Sequence, residues 1–154
     1  MKHQLLIALS LIVILTGCKN RSKSVDVLQN EVESVNAQCP LPLMPYGGVM
    51  KVEFDSATET AEIVFALNTI VVSSDSLLNN PEISQQLIQL ICNMSTMNSC
   101  INALTEYDTS FRFVFDSEGM TPYVVELTSE ELEWVIEGSF PRPDIQPLPI
   151  GIFE

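Results

Sequence analysis

Met50-Lys51-Val52-Glu53-Phe54-Asp55-Ser56 alternates apolar and charged residues and then runs into a polar turn. A period of two puts successive side chains on opposite faces of an extended chain, so the stretch reads as a half-buried strand. After the polar residues 55–60, Ala61 to Leu67 supplies a second apolar run with Ile63, Val64 and Phe65, and the two pair as an antiparallel hairpin. Ile70-Val71-Val72 either continues the second strand or begins an irregular crossing. The hairpin pattern returns at Ser110 to Phe115, the turn Asp116-Ser117-Glu118-Gly119, and Tyr123 to Leu127. Val52-Glu53-Phe54-Asp55-Ser56 overlays Phe113-Val114-Phe115-Asp116-Ser117 at a constant offset of 61, which also sets Lys51 on Arg112 and Thr60 on Thr121. Two readings account for this: a duplicated ββα unit, or two hairpins that share turn chemistry. Both predict an α+β fold, an antiparallel sheet made from two β-hairpins with helices packed on one face.

The helices follow from their punctuation. Asn80-Pro81-Glu82 opens one, with Pro suited to the first helical position and Glu to the positive helix end. Ile83, Leu87, Leu90, Ile91 and Met94 mark its apolar face. Met97, Ile101 and Leu104 predict a second helix over 97–106. Thr128 with Glu131 three residues on forms a capping box, Leu132, Val135 and Ile136 give the buried face, and Gly138 ends the helix. The globular α+β domain so delimited spans 49–138. Before it, Val25, Leu28, Val32 and Val35 make a single helical stripe, too short for a coiled-coil stalk and expected to dock on the domain. Cys39 to Gly48, with Pro40, Pro42, Pro45 and Gly47-Gly48, reads as an extended Pro-rich neck. Residues 139–154 form a Pro-rich tail with Pro141, Pro143, Pro147 and Pro149, yet Ile145, Leu148, Ile150, Ile152 and Phe153 are apolar. Such a tail packs along its own domain or lies in a partner's groove or sheet edge.

Charge is distributed unevenly. From Ser24 onward Lys51, Arg112 and Arg142 face all twenty acidic residues, three minus twenty, a net charge near −17. That field repels nucleic acid and anionic lipid and suits a basic partner, a cation or simple solubility.

The first eighteen residues place the chain. Met1-Lys2-His3 is a short basic start, and Leu5 to Leu15 is apolar apart from Ser10. The run is shorter than the ~20 residues a membrane-spanning helix needs, and it fits the apolar region of an export signal. Leu15-Thr16-Gly17-Cys18 resembles the lipobox of bacterial lipoprotein signal peptides. The resemblance implies that residues 1–17 are removed, that Cys18 is lipidated, and that the mature protein begins there and is held at the membrane of the cell envelope. Lys19 in place of Asp favours the outer membrane, and the periplasmic or surface face stays open. Lys19, Arg21 and Lys23 lie next to the anchor, where each basic residue near an anionic surface contributes about 1 kcal/mol.

His3 is the one histidine and leaves with the signal, so the mature chain has no Ser-His or Cys-His pair and no His-ligated metal site. Cys39, Cys92 and Cys100 remain beside Cys18. Cys92 and Cys100 are candidates for a bridge if the chain turns between them, since eight residues on one straight helix span ~12 Å. The alternative is that they serve as small buried hydrophobes. No phosphate loop, dinucleotide fingerprint, zinc pattern or Ca²⁺ loop follows the lipobox-like segment, so no cofactor is expected. Asp116-Ser117-Glu118-Gly119 and Asp55-Ser56 offer carboxylate oxygens to a weak Ca²⁺ site, but ordinary turns need the same residues. The expected function is a non-enzymatic, lipid-anchored envelope protein that binds another envelope protein. The alternative is an acidic inhibitor or immunity-type lipoprotein neutralising a basic enzyme or toxin. A hydrolase acting through paired carboxylates is a weaker third reading.

Overall fold

The computed structural model describes residues 24–139. They form helix α1 (24–36), strands β1 (Leu41–Leu43), β2 (Gly47–Asp55) and β3 (Thr60–Leu67), helices α2 (Ser74–Asn79), α3 (Pro81–Asn93) and α4 (Ser95–Glu106), strands β4 (Ser110–Asp116) and β5 (Tyr123–Leu127), and helix α5 (Ser129–Glu137). The fold is α+β, with one five-stranded sheet in the order β1-β2-β3-β4-β5. The two expected hairpins, β2-β3 and β4-β5, are present and antiparallel, and they join through a parallel β3–β4 pair. A parallel neighbour requires a crossover, and α2, α3 and α4 supply it.

Val52, Ile63, Phe113 and Val125 stand opposite one another across the strands and so share a face. The same face carries Phe54, Ala61, Phe65, Phe111 and Phe115, all buried. Phe65 and Phe115 meet edge to face with ring centroids 6.0 Å apart. Burial of each such ring contributes about 1.5–3 kcal/mol. Over this face the helices lie side by side. Ser99 of α4 donates to the Glu31 carboxylate of α1 at 3.0 Å, α4 packs on α3, and Gln89 of α3 donates to the Ile136 carbonyl of α5 at 3.0 Å. The other face is half-open and mixed: Lys51, Glu53, Glu62, Val64, Arg112, Val114, Val124 and Glu126. There Arg112 sits between Glu62 and Glu126, each 3.2 Å away.

The geometry corrects the duplication reading. With the helical face toward the viewer and the first strand of each hairpin pointing up, the second strand lies on opposite sides in the two hairpins, because β3 and β4 are adjacent and parallel. No rotation superposes one hairpin on the other with helices on the same side; only a reflection would. The matched residues also differ in role, since Ser117 is buried and Ser56 is exposed. The repeated Phe-Asp-Ser makes different contacts in the two hairpins: Asp55 accepts from Ala57 N–H, whereas Ser117 accepts from Ser74.

The expected neck is also replaced by structure. Leu41–Leu43 pairs with Gly47–Val49 around a turn at 44–46, so this segment adds a strand to the sheet. Gly47 and Gly48 permit this by lacking side chains. A Cβ on Gly47 would collide with the Ala66 carbonyl, and one on Gly48 would stand 2.9 Å from the Leu41 carbonyl oxygen. A bulge between Val49 and Lys51 turns Met50 outward, contrary to the simple alternation, and brings Val49 into the core.

As expected, α1 docks on the domain through Leu28, Val32 and Val35. It also closes an edge. β1 covers only the start of β2, and beyond it Asn36 takes over: its Oδ1 accepts from Val52 N–H at 2.8 Å and its Nδ2 donates to Val52 O at 2.7 Å. Gln29 Nε2 donates to Phe54 O at 3.2 Å. Two side-chain amides thus occupy an edge that would otherwise pair with another chain.

Candidate functional site

One end of the sheet carries five of the exposed apolar residues, while Val27, Met50, Leu90 and Val124 sit within α1, β2, α3 and β5. The β1–β2 turn, the segment after β3, helix α2 and the β4–β5 turn all lie where β1, β3 and β4 end and β2 and β5 begin. Each places an apolar side chain in solvent: Met44 (77% exposed), Ile70 (94%), Val71, Leu78 (67%) and Met120. Single exposed apolar residues are ordinary; five at one end of a small domain make that end the candidate interaction surface. Asp75, Asp116 and Glu118 are exposed around it. The described basic residues, Lys51 and Arg112, lie within β2 and β4 and pair with Glu53 and with Glu62 and Glu126. The end is therefore apolar with an acidic rim.

Short-range chemistry builds this end. Asn68 N–H donates to Tyr46 O at 2.7 Å and Asn68 Nδ2 to Pro45 O at 2.9 Å, tying the segment after β3 to the β1–β2 turn. The Asn68 carbonyl then accepts from Val71 and Val72 N–H. Ser73 caps α2 with a reciprocal Ser73–Ser76 box. At its start, Ser74 N–H and Oγ both reach the buried Ser117 Oγ, at 2.9 and 2.8 Å, across to the β4–β5 turn. Ile70 and Val71 thus ride on a bridge anchored at both ends.

The opposite end carries the start of α1. Gln29 reaches Phe54 and Asn36 reaches Val52, so α1 begins beside the far end of β2, at Asp55, and the turn bearing Met44 lies at its near end. The nine residues of β2 separate the two ends by about 26 Å.

A second feature flanks β5. Ile88 and Ser84 of α3, Tyr123, Val125 and Leu127 of β5, and Trp134 of α5 wall a largely apolar groove whose cavity measures about 150 Å³. That is below the ~300 Å³ at which small-molecule pockets begin, and it suits one or two side chains.

The residues singled out by sequence fall as follows. Cys18 and the tail 140–154 lie outside the described residues. Cys92 sits in α3 and Cys100 in α4, both buried and both free thiols; Cys39 is free and half-buried. Burial pushes the Cys92 thiol up to about 12. Burial, with Glu31 adding to it, pushes Cys100 up to about 12 as well. Thiols so held in the neutral form are poor nucleophiles. Asp55 accepts from Ala57 N–H at 2.9 Å, and this bond, with one from Thr58, holds its carboxyl below the usual range, opposite to what a general acid needs. Among the described residues no three His, Cys, Asp or Glu side chains cluster as a metal site, and no helix is long and apolar enough to cross a membrane. The apolar end escaped the sequence reading. Its one available signal was Ser73-x-x-Ser76, a helix start that leaves Ile70-Val71 in a loop.

No protein-family model matches the chain, and no curated protein matches it. Among solved structures, the type II secretion system pilotin AspS from Vibrio cholerae is similar: 14% identity, a TM-score of 0.50, and coverage of 74% of this chain and 96% of that one. At that identity the likeness speaks for the fold alone.

Proposed function

We propose that the protein is a non-enzymatic lipoprotein of the bacterial cell envelope, anchored through Cys18, that holds another envelope protein against its apolar end. The carrying observation is the position of Met44, Ile70, Val71, Leu78 and Met120 at the end opposite α1. Residues 19–23 are the link between an anchor at Cys18 and α1, so the membrane lies on the α1 side and the apolar end points toward a partner. The lipobox-like segment supports the anchor, and the fold shared with a pilotin is in keeping with an envelope protein that serves another. The acidic rim selects a partner whose contact surface is apolar and neutral or basic.

The test is crosslinking in intact envelopes with the full chain, with Ile70→Asp and Leu78→Asp as comparisons. A discrete crosslinked species with the wild type that disappears in both variants, while their thermal unfolding is unchanged, supports the reading. A species that survives both variants but is lost in high salt overturns it in favour of the acidic inhibitor, whose contact would be charge on charge. Cys18→Ser is expected to release the chain from the membrane fraction; retention there would overturn the lipid anchor.

A further inference from the structure

The two outer strands of the sheet are protected differently. β1 is three residues long and carries Pro42, and beyond it the Asn36 and Gln29 amides occupy the edge of β2. β5 has five residues in unbroken register with β4 and contains neither proline nor lysine. Among the described residues no strand lies on its other side. Such an edge presents a row of N–H and C=O groups to whatever comes alongside. The helix-facing side chains Tyr123, Val125 and Leu127 are half-buried, although Phe115, Phe113 and Phe111 directly opposite them on β4 are buried. The core row therefore thins at its last strand, and the groove between Ile88 and Trp134 lies over it.

Charge narrows what can pair there. α3, β5, α5 and the turn before β5 hold Glu82, Glu118, Glu126 and the four glutamates of α5, and no lysine or arginine. Arg112 of β4 reaches Glu126 at 3.2 Å but is shared with Glu62, so two carboxylates divide one guanidinium. A second copy pairing through β5 would bring these glutamates against their own counterparts. Residues 140–154 of this chain carry Arg142 against Asp144 and Glu154, so they bring no surplus positive charge. A basic segment of another protein meets a complementary field along the whole edge.

We propose that β5 and its groove dock an extended segment of a separate protein in which apolar and basic residues alternate. Main-chain pairing at an open edge supplies affinity, and alternate side chains supply specificity. On a strand paired to β5, successive side chains fall on opposite faces of the sheet. Those on the helical side continue the row of Tyr123, Val125 and Leu127, and the cavity of about 150 Å³ accepts one or two of them. Those on the other side stand beside Val124 and the Glu126 carboxylate, which is 71% exposed. Basic residues there pair with Glu126, and flanking ones meet Glu118 before β5 and Glu130 after it. Alternation and charge are the same for a parallel and an antiparallel segment, so the site selects composition and not direction.

The test uses the full chain in an uncharged detergent and a capped peptide of alternating lysine and valine, matched in length to β5. Hydrogen exchange at the β5 amides reads main-chain pairing, and the emission of Trp134, the one tryptophan, reads the groove. At about ten times its dissociation constant the peptide should slow β5 exchange by about tenfold and shift the emission to the blue. Two versions N-methylated at alternate residues, one at the lysines and one at the valines, separate pairing from adsorption: one should bind and the other fail. Glu126→Lys should weaken binding by about fivefold, and a glutamate–valine peptide should not bind. Unchanged β5 exchange and emission across the titration overturn the proposal. Equal binding of the two methylated peptides overturns main-chain pairing, a result that needs no variant of the protein. Binding seen only in a chain ending at Ser139 overturns it in favour of an edge already taken by this chain. Ile70→Asp and Leu78→Asp should leave peptide binding unchanged, so failure here leaves the partner reading to its own test.

Discussion

Asn36→Ala removes both hydrogen bonds that close the β2 edge. Val52 is fully buried, and its N–H and C=O are held by the Asn36 amide at 2.8 and 2.7 Å. A hydrogen bond of this kind contributes about 1 kcal/mol net, so the pair is worth about 2 kcal/mol. Water reaching the vacated edge would return part of that, and a Val52 N–H left dry would add to the loss. For a domain of this size 1 kcal/mol corresponds to about 4 °C, so Tm should fall by about 8 °C. Urea denaturation gives the free energy directly, with an unchanged m-value showing that the unfolded state is unaffected. Gln38→Ala is the control. That side chain bonds only to the exposed Ser34 carbonyl, at 3.2 Å, and its loss should cost less than about 0.5 kcal/mol. The Val52 amide should also exchange faster in Asn36→Ala, and the variant should associate through its bared edge on concentration. If Asn36→Ala unfolds within about 0.5 kcal/mol of the wild type, the amide pair is not what holds α1 to the sheet.

Three further outcomes are expected. Thr109 Oγ1 is buried without a partner, so Thr109→Val should be neutral or raise stability by up to about 1 kcal/mol in the same denaturation assay. Cys92 and Cys100 titrate near 12 in the folded chain against an ordinary value of 9.0, so both pKa values are raised on folding. Their contribution to stability is then complete below pH 9 and lost as pH rises from 9 to 12; the urea midpoint should fall across that window, and less steeply in a Cys92→Ala, Cys100→Ala double variant. Thr128→Ala removes the side chain that accepts from Glu131 N–H at 3.2 Å, and should cost about 1 kcal/mol by thermal unfolding.

The strands were legible because burial on one face alone forces a period of two, which β3 to β5 obey throughout and β2 obeys beyond its bulge. The period is the same for parallel and antiparallel neighbours, so the pairing of Ile63 with Phe113 in parallel strands left no trace in the sequence. Asn80 stands at the α3 start as read, but its side chain makes no capping bond; Pro81 and the break from α2 set that boundary. The prolines and glycines of 40–48 signalled a neck because both residue types disfavour strand interiors. At the edge of a sheet, where Pro42 faces Gly48 and the glycines admit close backbones, the same residues are compatible with pairing. The apolar end left only the Ser73-x-x-Ser76 helix start as a trace, since Ile70 and Val71 carry the same letters as core residues and the Asn68 and Ser74 anchors turn them outward.

Those anchors bear on how long a complex would last. The span from Asn68 to Ser74 is fixed to the β1–β2 turn at one foot and to Ser117 at the other. A loop already held in its bound shape gives up little conformational freedom when a partner settles on it, and each rotamer-rich side chain that needs no ordering spares about 0.5–1.5 kcal/mol. Cutting one foot with Ser117→Ala would leave every apolar atom in place yet make the surface a looser template. The complex would then lose residence time rather than contact area, dissociating faster at a nearly unchanged rate of encounter.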